Sequence, residues 1–213
     1  NENAARDVKN AFDSLKRSNP AMKSLILDLR GNPGGLLQEA VKIVNIFIDR
    51  NQLVVSTKGK VPEWNTSFKT LDAPTDTKIP IAVITDNMSA SASEIVSGSL
   101  QDLDRGIVVG QKTYGKGLVQ ITKNLSYNTV LKVTTAKYYI PSGRCIQAIN
   151  YAEKNTDGSV KRIPDSLKTA FKTKAGRTVY DGGGIDPDVV IPKKEISKIA
   201  QQLEAKHLLF DYA

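Results

Sequence analysis

Two stretches of this chain repeat one pattern, and that pattern limits what it can fold into. In each, a compact apolar run of strand length passes through a corner of small residues into an amphipathic or small-residue helix. The first is SLILDLR, then GNPGG, then LLQEAVKIVNIFIDR. The second is KIPIAVITDN running into MSASASEIVSGSLQDL. A short run that is apolar throughout reads as a strand buried on both faces, as in parallel sheets. Strands alternating with helices then imply an α/β fold with a mainly parallel central sheet flanked by helices.

The remaining segments fit around that core. Residues 3–17 carry Ala4, Val8, Ala11, Phe12 and Leu15 at helical spacing, stopped by Ser18-Asn19-Pro20. Residues 53–78 read as a valine-rich strand followed by a hairpin or loop excursion. IVVGQKT is a further strand, YGKGLVQITKNL turns through two glycines into another, and TVLKVTTAKYYIP continues the series. From Ser142 to Pro192 the chain is rich in turns, and KEISKIAQQLEAKHLLF reads as an amphipathic closing helix. No repeat or linker interrupts the chain, so residues 1–213 read as one domain.

Composition removes several functions. No run approaches the length of a membrane span. Cys145 is the only cysteine, which excludes a disulfide framework and a cysteine zinc site. A net charge of +8 raises nucleic acid as a partner, yet the basic residues are spread along the chain. The densest basic stretch, Lys154 to Arg177, holds Phe171 as its sole aromatic and is broken by Asp157 and Asp165. A solvated basic surface is the better reading, and no nucleic-acid partner is expected. The sequons at Asn65, Asn87 and Asn124 are read as chance. The chain opens at Asn1 with no charged-then-apolar segment, which reads as a processed or an artificially trimmed protein from which any targeting segment has been removed.

The histidine count narrows the chemistry. His207 is the only one, and its helical neighbours Leu203 and Phe210 suit a packing or surface role. A Ser–His–Asp triad and a multi-histidine metal site are therefore not expected, and neither is a cofactor. A hydrolase built on this chain needs Lys, Asp or Glu as its base.

Three corners could supply the parts. Arg30-Gly31-Asn32-Pro33-Gly34-Gly35 can offer backbone N–H groups to an anion, or can be an ordinary strand–helix turn. It lacks the residues of a phosphate-binding loop or a dinucleotide fingerprint. Met88 to Glu94 sets three serines at a strand–helix junction, where a hydroxyl is exposed and the next N–H points at whatever it attacks. Ser91-x-x-Glu94 equally matches a capping box, and the run alone does not say which serine matters. In Tyr114-Gly115-Lys116-Gly117 a lysine bracketed by glycines can be tucked inward or can lie at the surface. Burial disfavours the ammonium form, which is what a lysine base requires. Gln120 on the following strand could hydrogen-bond that amine.

Taken in order, LILDLRGNPGG, SASASEIVSGSLQD, GQKTYGKGLVQ, LKVTTAKYYIPSGRCIQ and GGGIDPDVVI resemble the carboxy-terminal processing (tail-specific) proteases, which are Ser–Lys dyad serine peptidases. The resemblance implies a crotonase- or Clp-protease-like core, with Ser91 as nucleophile, Lys116 as general base and Gln120 positioning the lysine. It implies oxyanion donors at Ala92 and at Gly35 or Gly34, with Gly35 favoured. It further implies cleavage of protein or peptide substrates near their C-termini, through an acyl-enzyme, in the bacterial cell envelope, periplasmic or membrane-associated. Homo-oligomerisation is left open. Members of the family usually carry a PDZ domain ahead of the core and a strand leading into the first helix. Neither is read in this chain. The rival readings are a catalytically silent module of the same fold holding a peptide or apolar ligand, a crotonase-like acyl-CoA enzyme, and a nucleic-acid binder.

Overall fold

A computed structural model of the chain describes residues 2–193 together with Ser197, Ile199, Gln202, Leu203 and Lys206. The expected closing helix and His207 lie largely or wholly outside the described residues. The helices are α1 (Ala4–Ser18), α2 (Leu37–Phe47) and α3 (Ala92–Asp102). The strands are β1 (Leu25–Asp28), β2 (Leu53–Gly59), β3 (Thr66–Lys69), β4 (Ile81–Thr85), β5 (Ile107–Gly110), β6 (Leu118–Asn124), β7 (Val130–Tyr139), β8 (Ile149–Lys154), β9 (Val160–Arg162), β10 (Ala170–Lys172), β11 (Thr178–Tyr180) and β12 (Val189–Val190).

The apolar runs build the expected parallel sheet, in the order β1-β4-β5-β12. Beside it stands an antiparallel sheet, β3-β2-β7-β6, in which the strand led in by Gly115 and Gly117, β6, forms a hairpin with β7. Two short ribbons, β8–β9 and β10–β11, occupy the turn-rich stretch. Residues Ala92 to Asp102 of α3 are all buried, because the helix packs against β5 of one sheet and β2 of the other. Its small residues make that approach workable: Ser99 Oγ donates to the Val54 carbonyl at 2.8 Å. Phe12 and Phe47 meet edge-to-face where α1 closes over α2.

One expectation is corrected. SLILDLR is not buried on both faces. β1 is an edge strand whose burial alternates, and Ile26 is 64% exposed. The register places Ile26, Ala82 and Ile107 side by side, and Ile107 is 47% exposed. The helices thus cover one face of this sheet, and the described residues leave the other apolar and open.

The far end of α3 is pinned by a buried ion pair. Arg144 donates to Asp102 Oδ1 at 2.9 Å, to Gln101 Oε1 at 2.7 Å and to the Tyr180 carbonyl at 3.2 Å. Asp102 also accepts the Ser142 N–H at 3.0 Å. This locks the turn after β7 to the helix whose opposite end carries Ser91.

Candidate active site

All three corners meet at the N-terminus of α3. The first two are stitched by Asp86, whose carboxylate accepts N–H groups from Gly31, Met88 and Ser89, each at 3.0 Å. Ala90 N–H donates to the Asn32 carbonyl at 3.0 Å. Gly34 has φ +93°, and a methyl group there would lie 2.5 Å from the Ala90 carbonyl, 2.7 Å from Ala92 N and 2.9 Å from Ser91 Cβ. Only glycine lets the first corner lie this close to the second.

The structure separates the three serines. Ser89 is fully buried, its hydroxyl donating to the Leu29 carbonyl at 2.8 Å and accepting Asp86 N–H at 3.0 Å. Ser93 is buried as well. Ser91 is half-buried, with φ 57° and ψ −116°. An ordinary helix N-cap sits in the extended region. A non-glycine residue at this φ costs about 1–3 kcal/mol, and such outliers gather at functional sites. Capping alone does not call for this geometry, whereas a serine presented on a sharp strand-to-helix turn does.

Glu94 joins the second corner to the third. Its side chain is fully buried and accepts four hydrogen bonds. Thr113 Oγ1 and Gly115 N–H donate to Oε1 at 2.5 and 2.7 Å. Ser91 N–H and Lys116 N–H both donate to Oε2, each at 2.8 Å. Two legs of 2.8 Å bound the separation of those backbone nitrogens at 5.6 Å. Burial nevertheless pushes the Glu94 carboxyl above its ordinary range, outweighing the four donors that favour the carboxylate. Sequence reading reached Glu94 only as a capping residue. Ser-x-x-Glu was the visible signal, and the donors from residues 113–116 were not.

Lys116 is not tucked inward. Gly115 and Gly117 are buried, while Lys116 between them is exposed. The glycines serve the backbone: Ala148 N–H donates to the Gly115 carbonyl at 3.0 Å, and Gly117 N–H to Gln147 Oε1 at 2.7 Å. A methyl on Gly115 would fall 2.2 Å from Ala148 Cβ. Of the two positions left open for that lysine, the structure shows the surface one. Gln120 is also exposed, and among the described residues no hydrogen bond joins it to Lys116.

The neighbours of Ser91 line two cavities, Ala90 the first and Ala92 the second, and Ser91 is in neither lining. One, of about 250 Å³, is lined by Ala90, Lys116, Leu118, Gln120, Ile149 and Tyr151. The other, of about 190 Å³, is lined by Gly34, Gly35, Leu36, Ala92 and Ser93, among others. Gly34 N–H is already committed to Asn32 Oδ1 at 2.9 Å. Ala92 N–H, at the first turn of α3, and Gly35 N–H engage no acceptor among the described residues. No cluster of metal-ligating side chains occurs among the described residues, and no helix there is long and apolar enough to cross a membrane.

Residues 1–157, which hold all three corners, match the sequence model of Peptidase family S41. The chain belongs to that family. A probable CtpA-like serine protease of Staphylococcus haemolyticus is 42% identical over 148 residues, covering 68% of this chain and 29% of the relative. Its counterpart in Staphylococcus aureus strain N315 is 36% identical over 201 residues, covering 93% of this chain and 39% of the relative. The chain thus spans well under half the length of these curated relatives. Among solved structures, a photosystem II D1 C-terminal processing protease aligns with a TM-score of 0.66 at 27% identity, over 90% of this chain and 40% of that one. A lipoprotein from Streptococcus agalactiae shares the fold, with a TM-score of 0.52 at 21% identity, over 98% of this chain and 62% of the other.

Proposed function

We propose that this chain carries the catalytic centre of a serine endopeptidase, with Ser91 as nucleophile and Lys116 as general base. The observation that carries the reading is the shared carboxylate oxygen of Glu94, which holds the Ser91 and Lys116 backbones within 5.6 Å. Family membership adds to it. Neutral Lys116 Nζ takes the Ser91 Oγ proton as Oγ attacks a peptide carbonyl. The tetrahedral oxyanion accepts hydrogen bonds from Ala92 N–H and Gly35 N–H, each worth about 3–4 kcal/mol in the transition state. Gly34 serves as the spacer that lets Gly35 reach. The Lys116 ammonium then protonates the leaving amine, and water releases the acyl-enzyme. Gln120 orients the amine once substrate covers it.

Because Lys116 is exposed in the uncovered site, we assign its desolvation to the bound substrate. Cleavage near substrate C-termini and action in the cell envelope follow from the resemblance to the tail-specific proteases. A second reading, a catalytically silent peptide-binding module, draws on the exposure of Lys116 and its missing bond to Gln120. Digestion of casein followed by intact mass separates the two. Ser91→Ala and Lys116→Ala should each lower turnover on the order of 10⁴-fold with the fold intact. An inert wild type that still binds peptide would favour the silent module.

A further inference from the structure

Lys58 of β2 and Lys137 of β7 stand directly opposite each other in the antiparallel register. Residues so paired put their side chains on one face, with Cβ atoms about 4.5–5.5 Å apart, and like charges placed there repel. Among the described residues neither lysine joins an ion pair. The Tyr139 ring, 4.9 Å from Lys58 Nζ, offsets part of one charge. On the other side of Lys137 the register sets Leu118 of β6. The row Lys58, Lys137, Leu118 thus crosses three strands on one face of the sheet.

That row lines a recess of about 580 Å³, together with Lys60 and Trp64 from the segment after β2. The lining holds no carboxylate, and Glu63 beside Trp64 is outside it. Three ammonium groups therefore give the recess one sign of charge. Trp64 is 62% exposed and adds an apolar platform of the kind that recognition surfaces favour. Leu118 also lines the cavity that holds Lys116, so the two recesses adjoin.

We propose that this recess is a subsite for acidic side chains, which makes polypeptides carrying an aspartate- or glutamate-rich segment the preferred substrates. This deepens the peptidase reading and rests on it for the guest being cleaved rather than only held. A carboxylate set between Lys58 and Lys137 is met by both and removes their repulsion, and Lys60 meets a second. Lysine ammonium groups are mobile point charges, so the recess selects for charge and not for one side-chain shape. A flexible chain can occupy both cavities by way of Leu118, and that continuity selects a polypeptide over a lipid surface.

The test uses the Ser91→Ala protein and two labelled, unstructured decapeptides, identical except that three glutamates in one are glutamines in the other. Fluorescence anisotropy at low salt should give the glutamate peptide a Kd about tenfold lower, the sum expected of three exposed charge contacts. Added salt should close the gap. Lys58→Gln with Lys137→Gln should erase the preference and leave the Kd of the glutamine peptide unchanged. Its urea midpoint should equal or exceed that of the parent, because a like-charge pair is gone. Lys23→Gln with Lys78→Gln removes the same net charge from exposed lysines outside the recess and should keep the preference. Equal Kd values for the two peptides, or a preference that survives the first double substitution, would overturn the proposal. Binding of phosphatidylglycerol vesicles through Lys58 and Lys137 without a peptide preference would also overturn it and assign the recess to a lipid surface. Labelling of wild-type Ser91 by a fluorophosphonate keeps the two ideas apart. Labelling without acid preference sinks the subsite and spares the nucleophile; acid preference without labelling does the reverse.

Discussion

The Ser91 corner and the Lys116 turn sit on one carboxylate, yet they are held in different ways. At Ser91 the backbone is fixed from three sides: by Glu94, by the Gly34 approach and by the Asp86 network behind it. At Lys116 only the main chain is fixed, through Glu94 below and the Gln147–Ala148 segment beside it, and the side chain is exposed. Under the proposed mechanism the nucleophile would therefore be set before substrate arrives, whereas the amine would be completed by what covers it. A centre of this kind places its stiffness in the residue that must attack along one direction, and leaves its proton carrier free to move.

The widest expected break in this contrast is at Glu94. Glu94→Ala orphans four donors in a buried place, at about 1–3 kcal/mol for each donor left unpaired. It should abolish peptidase activity and lower the urea midpoint sharply, because both corners lose their common anchor. If activity survives, the anchor is not what aligns the pair.

Next comes a paired test at the first corner. Gly34→Ala drives a methyl into Ala90, Ala92 and Ser91 at a positive φ, and should cost about 1–3 kcal/mol along with most of kcat. Gly35→Ala meets nothing within 4 Å and should leave stability nearly unchanged. Urea unfolding beside kcat/KM reads both, and equal effects would mean that the close approach is not specific to Gly34.

The smallest effect is in pH. Glu94 has a folded pKa raised above the ordinary 4.5, so the folded state binds its proton more tightly than the unfolded state does. Its contribution is present below 4.5 and is lost as pH rises through the raised value. Asp76, lowered to about 2 mainly by its hydrogen bond from Lys16, acts with the opposite sign: its contribution is full above 3.8 and lost as pH falls through about 2. Melting temperature against pH should therefore show a decline above 4.5 in the wild type that Glu94→Gln removes, at about 2–4 °C per kcal/mol. A variant that keeps the decline would assign it to another group.

Much of this was legible in the residues. The apolar runs and small-residue corners named the parallel sheet and its helices, because strand burial leaves a local signature. What depended on distant partners was not legible. Ile26 looks like a core residue until the strand order places β1 at an edge. The glycines around Lys116 left an inward or a surface lysine open, and their partners Gln147 and Ala148, some 30 residues away, claim the backbone and leave the side chain outside. The short strands β9 and β10, Val-Lys-Arg and Ala-Phe-Lys, carry too little apolar pattern to be seen. Three alternating serines could not be ranked by residue type, since burial and a dihedral angle set Ser91 apart.

That dihedral bears on how such a corner persists through mutation. Glycine adopts a positive φ without steric cost, so Ser91→Gly would relieve the fold of part of its local burden. The capping contact of the hydroxyl at the start of α3 would be lost at the same time, so the two effects oppose each other. Under the proposed mechanism, the strain is the structural cost of presenting that hydroxyl at the corner.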